Sequence, residues 1–259
     1  MADTQNSPGR MTPERYGFSG PAVSPLFEVP MQVKRATHLL FRYETNREAV
    51  LDILPSGVSL KPGPAMVQAL VQFTDSNDCM PYVGTYVFPM CEFEGNPYAF
   101  EHFLMVTNDA AMASGREFWG DSKKICHSEL IFEANEIYTT CERPRGLPLV
   151  TTHFRTTAQI PAEELPDIPP GLCLKMIPSA EEGQPLEVHQ YVEDDAQIIP
   201  ITDASGRMEI YRGTGSVMMP YETDVWPIHR LKPTRMLDSY LIRGDMDFGY
   251  GRILKDFNA

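Results

Sequence analysis

The feature that most limits what this chain can fold into is its scarcity of long helical periodicity. Short segments rich in β-branched and aromatic residues succeed one another with turn-forming residues between them: Val33–Tyr43, Ala65–Phe73, Tyr82–Phe93, Tyr98–Thr107, Glu129–Ala134, Leu149–Gln159, Leu186–Tyr191 and Met208–Val217. Only two stretches read as helices. One is Asn46–Leu54, with Val50, Leu51 and Leu54 on one face; the other is Asp109–Phe118, opened by a cap at Asn108 or Asp109. With no regular strand–helix alternation, a parallel βαβ sheet is not expected. The pattern predicts an α+β fold: a largely antiparallel sheet closed into a β-cone or barrel, with a few short helices. Residues 234–254 alternate Tyr240, Ile242, Met246 and Phe248 around Gly244, Gly249 and Gly251, so a strand and a broken helix are both open there.

A chain of 259 residues with 42% hydrophobic content can bury one large core. Residues 1–25, rich in Pro, Gly, Ser and Thr, are expected to form a flexible arm, and residues 26–259 a single domain. Pro161, Pro166, Pro169 and Pro170 mark a long loop inside that domain. Five widely spaced cysteines without a C-x-x-C pair argue against a disulfide framework, and six scattered histidines offer no metal-binding spacing. No metal is therefore expected. A formal net charge of −13 disfavours nucleic acid and anionic membranes as partners, although Lys34, Arg35 and Arg42 could hold a small anion locally. The start of the chain has no apolar signal core, and nowhere do 18 apolar residues run together, so the cytoplasm is the expected compartment.

The most informative run is Asn108–Ile125. A capped, Ala-rich helix ends at Gly115, Trp119-Gly120 turns the chain, and Lys123 and Lys124 follow in an extended segment. A Lys-Lys pair is usually a solvated surface feature. In this setting it resembles the hallmark of the acetoacetate decarboxylase superfamily, an N-[DE]-x-A-x-x-x-G-R-E segment followed by a short turn and two lysines. The matching residues are Asn108, Asp109, Ala111, Gly115, Arg116, Glu117, Lys123 and Lys124.

The resemblance implies a Schiff-base-forming carbon–carbon lyase in which Lys123 condenses with a ketone and a β-keto acid loses CO₂. It implies no cofactor, since the iminium is itself the electron sink. The partner is then a small keto acid or ketone, and a homo-oligomer is expected. Two alternatives stay open: aldolase or aldolase-dehydratase chemistry with a pyruvate-like keto acid on the same lysine, and a non-catalytic ligand-binding member of the fold. Attack needs a neutral amine, whereas a free lysine titrates at about 10.4. Burial lowers that value, and an adjacent Lys124 ammonium would lower it further; neighbouring side chains of a strand point to opposite faces, however, so a structural role for Lys124 stays open.

The resemblance also orders the other candidates. Gln68 and Gly84 fall where the family carries carboxylates, so both carboxylates look replaced; Lys34 or Arg35 falls at the family's arginine, with Arg35 the better carboxylate clamp. Ser122 stands where a proline is usual, and Trp119 where some pyruvate-binding members carry a polar residue. Tyr86, together with Tyr82, is a candidate proton relay, and Tyr250 between two glycines could approach from the C-terminal segment. Glu117 is a candidate pocket residue or the partner of Arg116 in a salt bridge that shapes the turn.

Overall fold

The computed structural model describes residues 29–74 and 80–259. The expected arm at 1–25 and Cys79 lie outside the described residues. In chain order the strands are β1 (Met31–Thr45), β2 (Val58–Ser59), β3 (Ala65–Thr74), β4 (Tyr82–Phe93), β5 (Asn96–Phe100), β6 (Phe103–Val106), β7 (Lys124–Ile125) and β8 (His127–Glu133). They continue with β9 (Glu136–Glu142), β10 (Pro148–Gln159), β11 (Gly171–Ile177), β12 (Val188–Asp194), β13 (Ile198–Pro200), β14 (Ile210–Met218), β15 (Arg235–Phe248) and β16 (Arg252–Asp256). The α-helices are α1 (Arg47–Leu51), capped by Asn46, and α2 (Asp109–Ser114), capped by Asn108. No helix among the described residues is long and apolar enough to cross a membrane.

The main hydrogen-bonded path runs β16-β12-β11-β5-β4-β3-β1-β15-β14-β10-β9-β8. Every ladder is antiparallel except β5 with β11 and β6 with β7. The expected closure into a cone is not seen in these ladders: β16 and β8 are its two free ends. Both end strands carry charged side chains, Arg252 and Lys255 on one and Glu129 and Glu133 on the other. Such charges discourage further strand pairing at an edge.

The open choice at 234–254 resolves as two strands, β15 and β16, separated at Gly249–Gly251. The helix expected over Asp109–Phe118 stops at Ser114 and widens into a π-helical turn at Gly115–Trp119. β9 and β11 lie in segments that the periodicity did not mark as strands.

β1 is central, pairing with β15 on one side and β3 on the other. Strand alternation then separates two interiors. Val67, Ala69 and Val71 of β3 join Leu39, Phe41 and Tyr43 of β1, Val87, Phe103 and Phe154 in the larger core. Phe41 and Phe154 are fully buried and meet edge to face with centroids 6.4 Å apart. Burying such a ring stabilises the fold by roughly 1.5–3 kcal/mol. The intervening Gln68, Leu70 and Gln72 look to the opposite side, where Tyr86, Leu104, Met246 and Phe248 gather.

The single strand expected over Tyr98–Thr107 is broken at Glu101-His102. β5 pairs with β4 in the register Met90↔Ala99, whereas β6 pairs with the same strand in the register Val87↔Phe103, so one extra residue is inserted between the two ladders. A bulge of this kind re-aims the side chains around it. Ala99, Glu101 and Leu104 consequently reach one cavity, which an unbroken alternation would not allow.

Candidate active site

The cavity lies between the β3–β4–β5 face, the end of β15, the loop before β11 and the segment after the π-turn. Its polar lining comprises Gln68, Gln72, Tyr86, Glu101, Asp121, Lys123 and Asp194; its apolar lining includes Leu70, Phe88, Met246, Phe248, Ile168 and Pro169. Among the described residues, Lys123 is the one cation in that lining.

The turn that delivers Lys123 depends on two glycines. Gly120 adopts the left-handed conformation with φ 91°, and the backbone N–H groups of Gly120 and Asp121 both donate to the Gly115 carbonyl, at 3.0 and 3.1 Å. A Cβ on Gly115 would overlap the Asp121 carboxylate and the Lys123 ammonium. Beyond the turn the chain is extended, so residues two apart share a side. Asp121 and Lys123 both face the cavity, with Lys123 Nζ 2.6 Å from Asp121 Oδ2 and side-chain exposures of only 11% and 2%. Ser122 turns away and donates to the His102 carbonyl. Lys124 also turns away, its Nζ 4.4 Å from the centre of the Trp226 ring.

Two further carboxylates stand around this pair. Glu101 rests against Gly171, whose Cα leaves no room for a side chain beside Glu101 Oε1, and its N–H donates to the Leu172 carbonyl at 3.0 Å. Asp194, at the end of β12, accepts from Ala196 N–H at 3.1 Å. Cys173 Sγ donates to Asp121 Oδ1 at 3.3 Å. Burial and the nearby Asp121 and Asp194 charges push the Glu101 carboxyl well above the usual carboxylate range. Burial, then Asp121, raises Asp194 to about 7. Both therefore hold a proton to higher pH than an ordinary carboxyl group does.

For Lys123 burial is the largest single influence and acts downward. The Asp121 charge and hydrogen bond, with smaller contributions from Tyr82 and Glu101, outweigh it and hold the ammonium above its ordinary value. This departs from the sequence expectation of a lowered value, while Lys124 follows the opposite-face alternative. The reason is the alternation just described, which puts Lys124 on the other side and Asp121 on the same side. Lys124 is itself lowered, first by burial and then by Arg116 and Arg143.

Of the residues singled out in the sequence, Lys123, Gln68 and Tyr86 line the cavity. Gly84 lacks a side chain where the Tyr86 hydroxyl now sits: a Cβ there would overlap it. Tyr82 is buried, and its hydroxyl accepts from Gln72 Nε2 at 3.2 Å.

The other candidates are outside the cavity lining, although the Trp119 ring lies 6.0 Å from Lys123 Nζ. Arg35 is exposed at a left-handed position, with φ 51°, and its N–H donates to Asp245. Lys34 pairs with Asp245 and Asp247. Arg116 and Glu117 are both exposed, and no ion pair joins them. Trp119 is buried behind the cavity, its Nε1 donating to the Gly249 carbonyl at 3.1 Å while its ring packs on Phe248. Tyr250 is 67% exposed and touches Phe118.

Positions 68 and 84 hold Gln and Gly, and Glu101, Asp121 and Asp194 supply acid groups to the cavity from other elements. Asp121 was legible two residues before Lys123 in an extended segment. Glu101 and Asp194 had no local signal, since a bulge and a long-range strand pairing bring them in.

Comparison with known proteins bears on this arrangement. The model of the family described as acetoacetate decarboxylase matches residues 19–257. This chain belongs to the acetoacetate decarboxylase family. It is 25% identical over 211 residues to the decarboxylase DEC1 of Cochliobolus heterostrophus, covering 80% of each chain. It is 20% identical over 254 residues to acetoacetate decarboxylase 3 of Mesorhizobium japonicum, covering 94% of this chain and 92% of that one.

Among solved structures, the acetoacetate decarboxylase of Legionella pneumophila superimposes with a TM-score of 0.80 at 18% identity, covering 98% of this chain and all of the other. The enduracididine biosynthesis enzyme MppR, complexed with the condensation product of pyruvate and imidazole 4-carboxaldehyde, gives a TM-score of 0.74 at 17% identity, covering 96% and 100%. These structural likenesses show the shared fold.

Proposed function

We propose that the protein is a Schiff-base decarboxylase of β-keto acids, with Lys123 as the attacking amine. The observation that carries this reading is the buried Lys123–Asp121 pair at 2.6 Å inside a cavity that also holds Glu101 and Asp194. The resting lysine is protonated, so attack begins with proton transfer from Lys123 Nζ to Asp121, across a distance already suited to it. The neutral amine adds to the substrate carbonyl, and water leaves to give the iminium. The bond between the α-carbon and the carboxylate then breaks, its electron pair flows into the C=N⁺, and CO₂ departs. Glu101 or Asp194, held protonated by burial, returns a proton to the enamine carbon. Water hydrolyses the product iminium and regenerates the lysine.

Arg35 is too exposed to grip the substrate carboxylate in this scheme. Neutral donors replace it: Gln68, Gln72, Tyr86 and the protonated acids. A carboxylate held by neutral donors in a largely apolar cavity is poorly solvated, which favours its conversion to CO₂. The aldol branch draws support from the MppR complex, because an enamine formed on Lys123 could also attack an aldehyde, with Glu101 and Asp194 as acid and base.

Incubation with β-keto acids and borohydride, followed by peptide mapping, tests the proposal. A reduced adduct on Lys123 that vanishes in Lys123→Met, together with CO₂ release, is the expected result. An unlabelled Lys123 with every keto acid would leave a ligand-binding protein of this fold. Adduct formation without CO₂, and with an aldol product, would select the other branch.

A further inference from the structure

Beside the lysine cavity lies a second cavity lined by Met66, Met90, Pro97, Pro64, Leu60 and neighbouring residues, and Pro169 borders both. Strand alternation puts part of the two linings on one face, while Ala65, Cys91 and Tyr98 join the second cavity from the other face. On β3 the even-numbered residues run Met66, Gln68, Leu70, Gln72, the first in the second cavity and the rest in the lysine cavity. On β4 Met90 lies in the second cavity and Phe88 and Tyr86 in the first; on β5 Pro97 lies in the second and Ala99 in the first. The loop before β11 crosses this face. Pro169 lines both cavities, and Gln68 Nε2 reaches the Asp167 carbonyl at 3.5 Å beneath it.

Size separates the two compartments. The lysine cavity is about 80 Å³. At ~10–15 Å³ for each water-sized group, that is room for on the order of five to eight non-hydrogen atoms, enough for a short keto acid and little more. The second cavity is about 300 Å³. Its walls are mainly Met, Pro, Leu and Ala, and methionines adapt to flexible apolar chains. Lys61 at its rim already pairs with Glu92 at 3.5 Å.

We infer that the two cavities form one substrate channel, in which the carbonyl and carboxylate occupy the lysine end and an unbranched apolar tail passes under Pro169 into the Met66–Met90–Pro97 compartment. The substrate class is then a β-keto acid of medium or long chain. The inference rests on the proposed chemistry of Lys123 and adds the binding site for the rest of the molecule.

A series of methyl ketones from butan-2-one to decan-2-one, each with borohydride, reads the channel as the half-saturating concentration for labelling Lys123. Each buried methylene is expected to lower it about fourfold, which is the ~0.8 kcal/mol per CH₂ of apolar transfer. Between butan-2-one and octan-2-one the gain is expected to be on the order of 100-fold. Met90→Trp, or Met66→Trp should the first fail to fold, is expected to flatten the series by filling the second compartment. A series already flat in the unmodified protein overturns the channel, as does one whose length dependence survives both substitutions.

Decan-2-ol, which cannot form an imine, separates this failure from failure of the Lys123 chemistry. If no ketone labels Lys123 but decan-2-ol raises the melting temperature of the unmodified protein and not of Met90→Trp, the channel stands and the Schiff-base reading falls. If neither effect is seen, both fall.

Discussion

Replacing Asp121 by asparagine removes the charge that holds the proton on Lys123 while keeping nearly the same shape. The two charges lie 2.6 Å apart at side-chain exposures of 11% and 2%, so solvent screens them little. At an effective dielectric of about 20 their attraction is roughly 6 kcal/mol. Removal of one partner from a buried pair typically costs ~3–5 kcal/mol. At about 1.36 kcal/mol per pH unit, this moves the lysine titration down by roughly two to four pH units.

The assay is the rate of borohydride-trapped adduct on Lys123 with a neutral ketone as pH is varied. In the unmodified protein the rate is expected to climb through neutral and alkaline pH, because the folded-state value lies above the ordinary one. In Asp121→Asn burial becomes the dominant influence, and the midpoint is expected two to four units lower.

Stability should follow the same sign. In the unmodified protein the Lys123 contribution is fully present below the unfolded value near 10.4 and is lost as pH rises through the raised folded value. In the variant the folded value falls below the unfolded one, so stability rises with pH across the interval between them. An adduct midpoint within half a unit of the unmodified protein's, or above it, would refute the idea that Asp121 controls the proton on Lys123.

Two further outcomes are expected. Asp194 titrates near 7 in the folded chain against about 3.9 unfolded, so its favourable contribution is full below the unfolded value and is lost as pH rises toward and through 7. Asp194→Asn should therefore raise the urea midpoint at pH 8 and change it much less at pH 4; equal changes at both would refute the assignment. Lys124→Ala should leave the pH midpoint of Lys123 labelling in place, since Lys124 faces Trp226, and should reduce stability by roughly 0.5–1 kcal/mol in chemical unfolding through the lost cation–π contact. A shift of that midpoint upward by a unit or more would restore the role expected for an adjacent ammonium.

Much of the strand inventory followed from local pattern. Val33–Tyr43, Ala65–Phe73 and Tyr82–Phe93 are strands because their β-branched and aromatic residues pack well on both faces of a central sheet, and of the two caps open for the second helix it is Asn108 that accepts from a first-turn N–H group. The motif from Asn108 to Lys124 was legible for a related reason. Its cap, its glycines and its lysine act within about fifteen residues, and the requirement for Gly115 and Gly120 is written in the chain itself.

What lay beyond the sequence arises from contacts between distant segments. The bulge at Glu101-His102 exists because β5 and β6 pair with β4 in registers one residue apart, a property of the ladder and not of the strand. Asp194 enters the cavity because β12 pairs with β11, and β11 lies beside β5. The sequence by itself determined that Lys123 follows a tight turn in an extended segment, with Asp121 on its side and Lys124 opposite, since a period of two is a local rule. Only the tertiary structure decided that this side faces two further carboxylates, Glu101 and Asp194, and a largely apolar cavity. The charge state of Lys123 is consequently set by Asp121 two residues away together with a burial that the distant segments create, through Coulomb forces that depend on distance in space.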